Sequence, residues 1–248
     1  MRRLFTLFAL SWPLFAQAGQ FADVEIYDRT EGRVLAAHEF RGRQYVAGEA
    51  QHEYELRIRN RSTRRLLAVT SVDGVNVVSG ETAAVGQRGY VIDPWSSVSV
   101  EGWRKSLDEI AKFYFTSLPE SYAARTGRPD DVGVIGIALF AEAQIRAPCC
   151  EELSRERADK AARAPNAQAT NEADAPRDST LGTGHGDRES SPARYVDFER
   201  TSERPDETLV IFYNSRRNLI AQGVLPRTRP VKERPYPFPG SFVPDPES

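Results

Sequence analysis

The densest run of chemically suggestive residues in this 248-residue chain is LGTGHG at 181–186. Alternate glycines could bring backbone N–H groups close to an anion, and His185 could serve as a base or a ligand. The residues before the run are polar, and no succession of strand, glycine loop and helix surrounds it, so the setting of a phosphate-binding loop is missing. The competing expectation is a flexible surface loop. A second run, EGWRKS at 101–106, sets Trp103 beside Arg104 and Lys105. An indole next to two cations can hold a sugar or an anionic group, whereas an indole alone is as readily core packing. Trp103, Arg104, Lys105 and His185 are therefore the candidate ligand-binding residues.

Other constellations are weaker. Asp73, Asn76 and Glu81 place oxygen donors around Gly74 and Gly80, which could suit calcium, but their spacing is not that of a DxDxDG loop, and hairpin turns use the same residues. Cys149 and Cys150 are adjacent. They could form a strained vicinal disulfide, bridge to other chains or stay free, and no CxxC or HxxxH spacing accompanies them. No metal site and no cofactor is expected. GxSxG, HExxH and P-loop motifs are absent, and three histidines give a nucleophilic triad few bases. A pair of carboxylates could act on glycosidic bonds, but 35 acidic residues leave the pair unassigned. With 33 basic residues against those 35, the formal net charge is −2, so nucleic acid is not an expected partner.

The elements that must position these residues begin with an address. Arg2 and Arg3 precede an apolar stretch at 4–15, and Ala16, Gln17 and Ala18 form a small-x-small cleavage site, the three parts of a secretory signal peptide. The mature chain would begin at Gly19 and lie in the periplasm or outside the cell, with no transmembrane segment. From there the sequence reads as short strands. Residues 52–60 alternate Tyr54, Leu56 and Ile58 with charged neighbours, and 66–72 is the expected hairpin partner. Residues 75–78, 90–92, 97–100 and 113–116 are further short strands. Ser106 and Glu109 suggest a capped helical turn over 106–111. The apolar, β-branched segment 132–140 reads as a buried central strand.

Residues 151–180 carry almost no large apolar side chain and cannot bury enough surface to offset their ordering entropy. Strand signals return at 194–198, 208–213 and 219–225, with a turn at 214–217. The expected architecture is an all-β, antiparallel sandwich, jelly-roll or immunoglobulin-like, formed by 19–147 together with 187–225. Residues 148–186 would be a flexible polar insertion and 226–248 a proline-rich tail.

The stretches at 24–29, 42–46, 73–76 and 102–106 together resemble a group of secreted Gram-negative bacterial β-rich proteins. The resemblance implies a cell-envelope setting and carries no activity or functional residue. The functional expectation is a non-enzymatic binding or envelope-accessory module with a protein or glycan partner. A carboxylate-dependent hydrolase of envelope polymers is the alternative.

Overall fold

The computed structural model describes residues 17–143 and 180–227. In chain order the strands are β1 (Gln17–Ala18), β2 (Ala22–Asp28), β3 (Arg33–Val34), β4 (Ala37–Phe40), β5 (Arg43–Gly48), β6 (Glu53–Asn60), β7 (Leu66–Val72) and β8 (Val75–Asn76). They continue with β9 (Tyr90–Ile92), β10 (Ser97–Val100), β11 (Gly102–Arg104), β12 (Glu109–Ser117), β13 (Val134–Ala141), β14 (Leu181–Ser190) and β15 (Glu207–Ser215). Two short α-helices, α1 (Tyr122–Arg125) and α2 (Arg216–Ala221), and 3-10 turns at Leu118–Glu120 and Pro129–Asp131 complete the elements of the described residues. No helix among them is long and apolar enough to cross a membrane.

The strands form two packed sheets, an all-β sandwich. One follows the order β1-β2-β6-β12-β11, with β3 on β2, β10 on β6 and β14 on β12. The other runs β4-β5-β15-β13-β7-β8, with β9 on β7. Pairing is antiparallel throughout except between β5 and β15. Alternation sets the faces: Leu56 and Ile58 of β6 point into the core with Ile26, Phe113 and Phe115, opposite Val72, Ile135, Leu139 and Ile211 of the second sheet. The apolar strand β13 lies between β7 and β15 and is covered on both faces. Its outward Ala138 and Phe140 join Leu67 and Val69 in a smaller cluster beneath Phe198. Arg200 lies 4.2 Å over the Phe140 ring and donates to the carbonyls of Val85 and Gln87.

Strands from the two ends of the chain share these sheets. β14 pairs with β12, and β15 lies between β13 and β5. Several local expectations are corrected. Residues 181–186 are the first six of the 10 residues of strand β14, not the end of a loop. Residues 52–60 and 66–72 do not form a hairpin, because β6 and β7 belong to different sheets. Period-two alternation fixes which face of a strand is wet and leaves its partner open. The crossing is held by Asn60, whose buried amide donates to the carbonyls of Arg64, Ile92 and Asp93. That burial also closes the Asn60-Arg61-Ser62 sequon to a glycan in the folded chain.

Residues 106–111 are not helical. Ser106 Oγ accepts from the N–H groups of Asp108 and Glu109, as a cap would, but β12 begins at Glu109 and pairs with β11. Residues 219–225 contain part of α2 rather than a strand. Ser215 caps that helix by accepting from Asn218 N–H, and Leu219 is its buried residue. Residues 194–198 form no strand; Phe198 instead packs on the second sheet. The expected leader (apart from Gln17 and Ala18, which pair with β2), Cys149 and Cys150, most of the polar insertion and nearly all of the proline-rich tail lie outside the described residues.

Candidate functional site

The glycines of 181–186 have a structural origin. In β14 the side chains of Leu181 and Thr183 turn inward, so Gly182, Gly184 and Gly186 fall on the other face. Gly184 stands opposite Tyr114, whose ring covers it; a Cβ there would lie 2.2 Å from Tyr114 Cζ. Gly184 and Gly186 thus accommodate the Tyr114 ring of the neighbouring strand, while a Cβ on Gly182 would lie 2.7 Å from Ser121 and Val132, so these glycines answer to packing rather than to an anion.

Thr183 belongs to a buried polar network. Asp73 is fully buried, and its carboxylate accepts from Gly133 N–H at 2.9 Å, Thr183 N–H at 2.8 Å and Tyr213 O–H at 2.5 Å. Thr183 Oγ1 lies 2.7 Å from the Tyr54 hydroxyl and 2.6 Å from the Tyr213 hydroxyl. Burial pushes the Asp73 carboxyl up to about 6 against the opposing pull of these donors. Asp73 and Gly74 form the two-residue turn between β7 and β8, both at positive φ, as a type I′ hairpin requires. Asn76 Oδ1 accepts from Val78 and Ser79 N–H. The oxygens considered for calcium at Asp73 and Asn76 therefore bind the protein's own N–H and O–H groups. Among the described residues, no group of three or more His, Cys, Asp or Glu side chains is placed to hold a metal ion.

The four candidate ligand-binding residues separate into two sets. Arg104 is engaged inside the protein: its guanidinium donates to the Tyr90 hydroxyl at 3.0 Å and to the Ser191 and Leu107 carbonyls. It ties the β11–β12 turn to β9 and to the chain after β14. Trp103 points the other way, as alternation requires, and is 3% exposed. Its ring meets Phe113 edge-on at 5.1 Å and Tyr122 at 4.9 Å, and Tyr122 stacks on His185 at 5.4 Å. Trp103 Nε1 is buried with no hydrogen-bond partner among the described residues. Trp103 and His185, distant in sequence, thus belong to one aromatic column that ends at a half-buried imidazole.

The surroundings of that imidazole are cationic. Burial lowers the His185 pKa first, and the positive charges of Lys105, Arg125 and Arg188 lower it further. Arg188 is compensated by Glu109 at 3.2 Å. Lys105 and Arg125 are exposed and make no ion pair among the described residues. Tyr122 and Arg125 come from α1, whose N-cap Ser121 accepts from Ala124 N–H. Sequence reasoning passed over this four-residue helix, because one helical turn carries no periodicity.

Carboxylates gather elsewhere, on the outer face of the first sheet. Arg29 makes a two-pronged pair with Glu189 at 2.7 and 2.8 Å, and Glu55 accepts from Arg57 at 2.6 Å. The Arg29 bond holds the Glu189 carboxyl below its usual range, whereas burial raises that of Glu101. His52 Nδ1 lies 2.8 Å from the buried Asp28 carboxylate, a bond that raises the His52 pKa. Asp28 also accepts from the N–H groups of Thr30 and Glu31, so the pair closes the turn after β2. Compared with known proteins, the chain matches no family model, no curated protein and no solved structure.

Proposed function

We propose that the chain is an exported binding module of the cell envelope that takes an anionic group at the His185 end of the sandwich. The observation that carries this reading is the juxtaposition at one end of an aromatic column and uncompensated positive charge. Tyr122 and His185 supply a stacked, half-open surface, while Lys105 and Arg125 supply charge without a carboxylate partner among the described residues. A carboxylate or phosphate seated there would gain charge-assisted hydrogen bonds from the cations and, once protonated, from the imidazole. The export half of the reading rests on the n-region, apolar stretch and cleavage site at 1–18. The alternative, a carboxylate-dependent hydrolase, needs acids lining a cleft. Two cavities among the described residues, of about 160 and 130 Å³, are lined without Asp, Glu or His. The first lies among Tyr45, Val132, Thr180, Phe212 and Leu219, and the second among Val69, Val85, Gly136 and Ala138.

Titration of the His185 ring protons by NMR, with and without inorganic phosphate, tests the site. Saturable phosphate binding should raise the His185 pKa, which burial and the neighbouring cations hold below the ordinary histidine range, and acidification that makes the ring cationic should increase the affinity. K105E should raise the His185 pKa without phosphate and weaken phosphate binding at least tenfold. An unchanged His185 titration in phosphate would sink the assignment.

A further inference from the structure

At the other end of β6 lies an indole displayed at the expense of backbone comfort. The turn Asp93-Pro94-Trp95-Ser96 closes with a Ser96 N–H to Asp93 carbonyl bond of 3.2 Å. Proline stands at its second position and a positive φ at its third, the pattern of a type II turn. That third position calls for glycine or asparagine, yet it holds Trp95 at φ 60°. Trp95 is also 62% exposed, so burial does not offset the disfavoured conformation. Among the described residues the indole makes no hydrogen bond, ring stack or cation–π contact, and a strained residue without such compensation points to a role outside the fold.

The turn is rigidly held. The Asn60 amide grips the carbonyls of Ile92 and Asp93, and Asn60 N–H donates to the Ser96 carbonyl. The exposed residues that flank Trp95 along the chain are polar. Asp93 lies 3.5 Å from Arg65 with its own side chain 74% exposed. Ser96 and Ser97 are exposed, and Ser97 stands in register with exposed Arg59.

We propose that Trp95 is a carbohydrate platform that stacks on the flat face of a neutral β-1,4-linked pyranose chain, with Asp93, Ser97 and Arg59 at its rim. A single open aromatic plane matches the axial C–H face of such a sugar, and the donors and acceptors of the flanking residues suit its equatorial hydroxyls. A protein partner would call for a contiguous apolar patch around the indole, whereas the exposed residues flanking Trp95 in the chain, Asp93, Ser96 and Ser97, are polar. The surface lies about 20 Å from the His185 end, the length of six residues of β6, and does not depend on the function proposed there.

The test uses intrinsic fluorescence of the mature chain with chitotetraose and cellohexaose. Trp95 is exposed and Trp103 buried, so a blue shift on titration reports Trp95. Saturable binding of at least one oligosaccharide is expected. W95F should keep it within about fivefold, whereas W95N should lose it at least tenfold while melting at or above the native temperature, because Asn tolerates positive φ. K105E should bind the sugar as the native chain does. Failure of both oligosaccharides to bind, sugar binding by W95N at native affinity, or a fluorescence response to anionic vesicles but not to sugars would each overturn the proposal.

Discussion

Replacing Asp73 by Asn separates the charge of the buried carboxylate from its shape. Burial raises this carboxyl from its ordinary 3.8 to about 6, so the folded state holds the proton more tightly than the unfolded chain. Its contribution to stability is therefore fully present below pH 3.8 and lost as pH rises through about 6. At about 1.4 kcal/mol per pH unit, that window corresponds to about 3 kcal/mol. The amide of D73N does not titrate. It keeps an oxygen for Gly133 N–H and the Tyr213 hydroxyl but turns an NH₂ group toward Thr183 N–H, leaving a bond unmade for about 1–3 kcal/mol at every pH. Urea unfolding of both proteins, followed by Trp103 fluorescence from about pH 4 to 7, should show the native chain's advantage over D73N shrinking by most of that 3 kcal/mol. His52, stabilising at low pH through its raised pKa, and Glu189, stabilising at higher pH through its lowered one, are common to both chains and cancel in the difference. A difference that stays constant within about 1 kcal/mol across the range would refute the argument. The network would then hold Asp73 without a desolvated charge.

Two further substitutions probe the elements around the sites. G184A drives a methyl group into the Tyr114 ring and should destabilise the fold by about 1–3 kcal/mol in denaturant unfolding, with a double-mutant cycle against Y114L recovering part of the loss. N60A removes the buried amide that grips three carbonyls across the β6–β7 crossing and should lower stability by about 1–3 kcal/mol; a melting temperature equal to the native one would show that water replaces the amide without penalty.

The extent to which this molecule can be read from its sequence depends on whether the reason for a residue is local. Tyr54, Leu56 and Ile58 alternate with charged neighbours because one face of β6 is wet, and that reason is contained within the strand. The same holds for the apolar β13 and for the Asp-Gly turn after β7. The reason for Gly184 lies on another strand, in the ring of Tyr114, so the run at 181–186 resembles a flexible or anion-binding loop until its partner is in place. The reason for Asp73 is divided: its backbone makes the turn, which is local, while its carboxylate joins β13, β14 and β15, which is not. Among the candidate site residues, the run 103–105 suggested one cationic-aromatic patch, yet strand alternation sends Trp103 into the core column and commits Arg104 to the Tyr90 hydroxyl and the Ser191 carbonyl. Adjacency in sequence therefore divides side chains between faces, and the column from Trp103 through Tyr122 to His185 is assembled from β11, α1 and β14 by the packing of the sheet. Trp95 marks the opposite limit. Its positive φ belongs to the turn, but the choice of an exposed indole where glycine or asparagine would sit more easily has no source in the packing of the described residues, which is the physical ground for seeking its cause in a ligand.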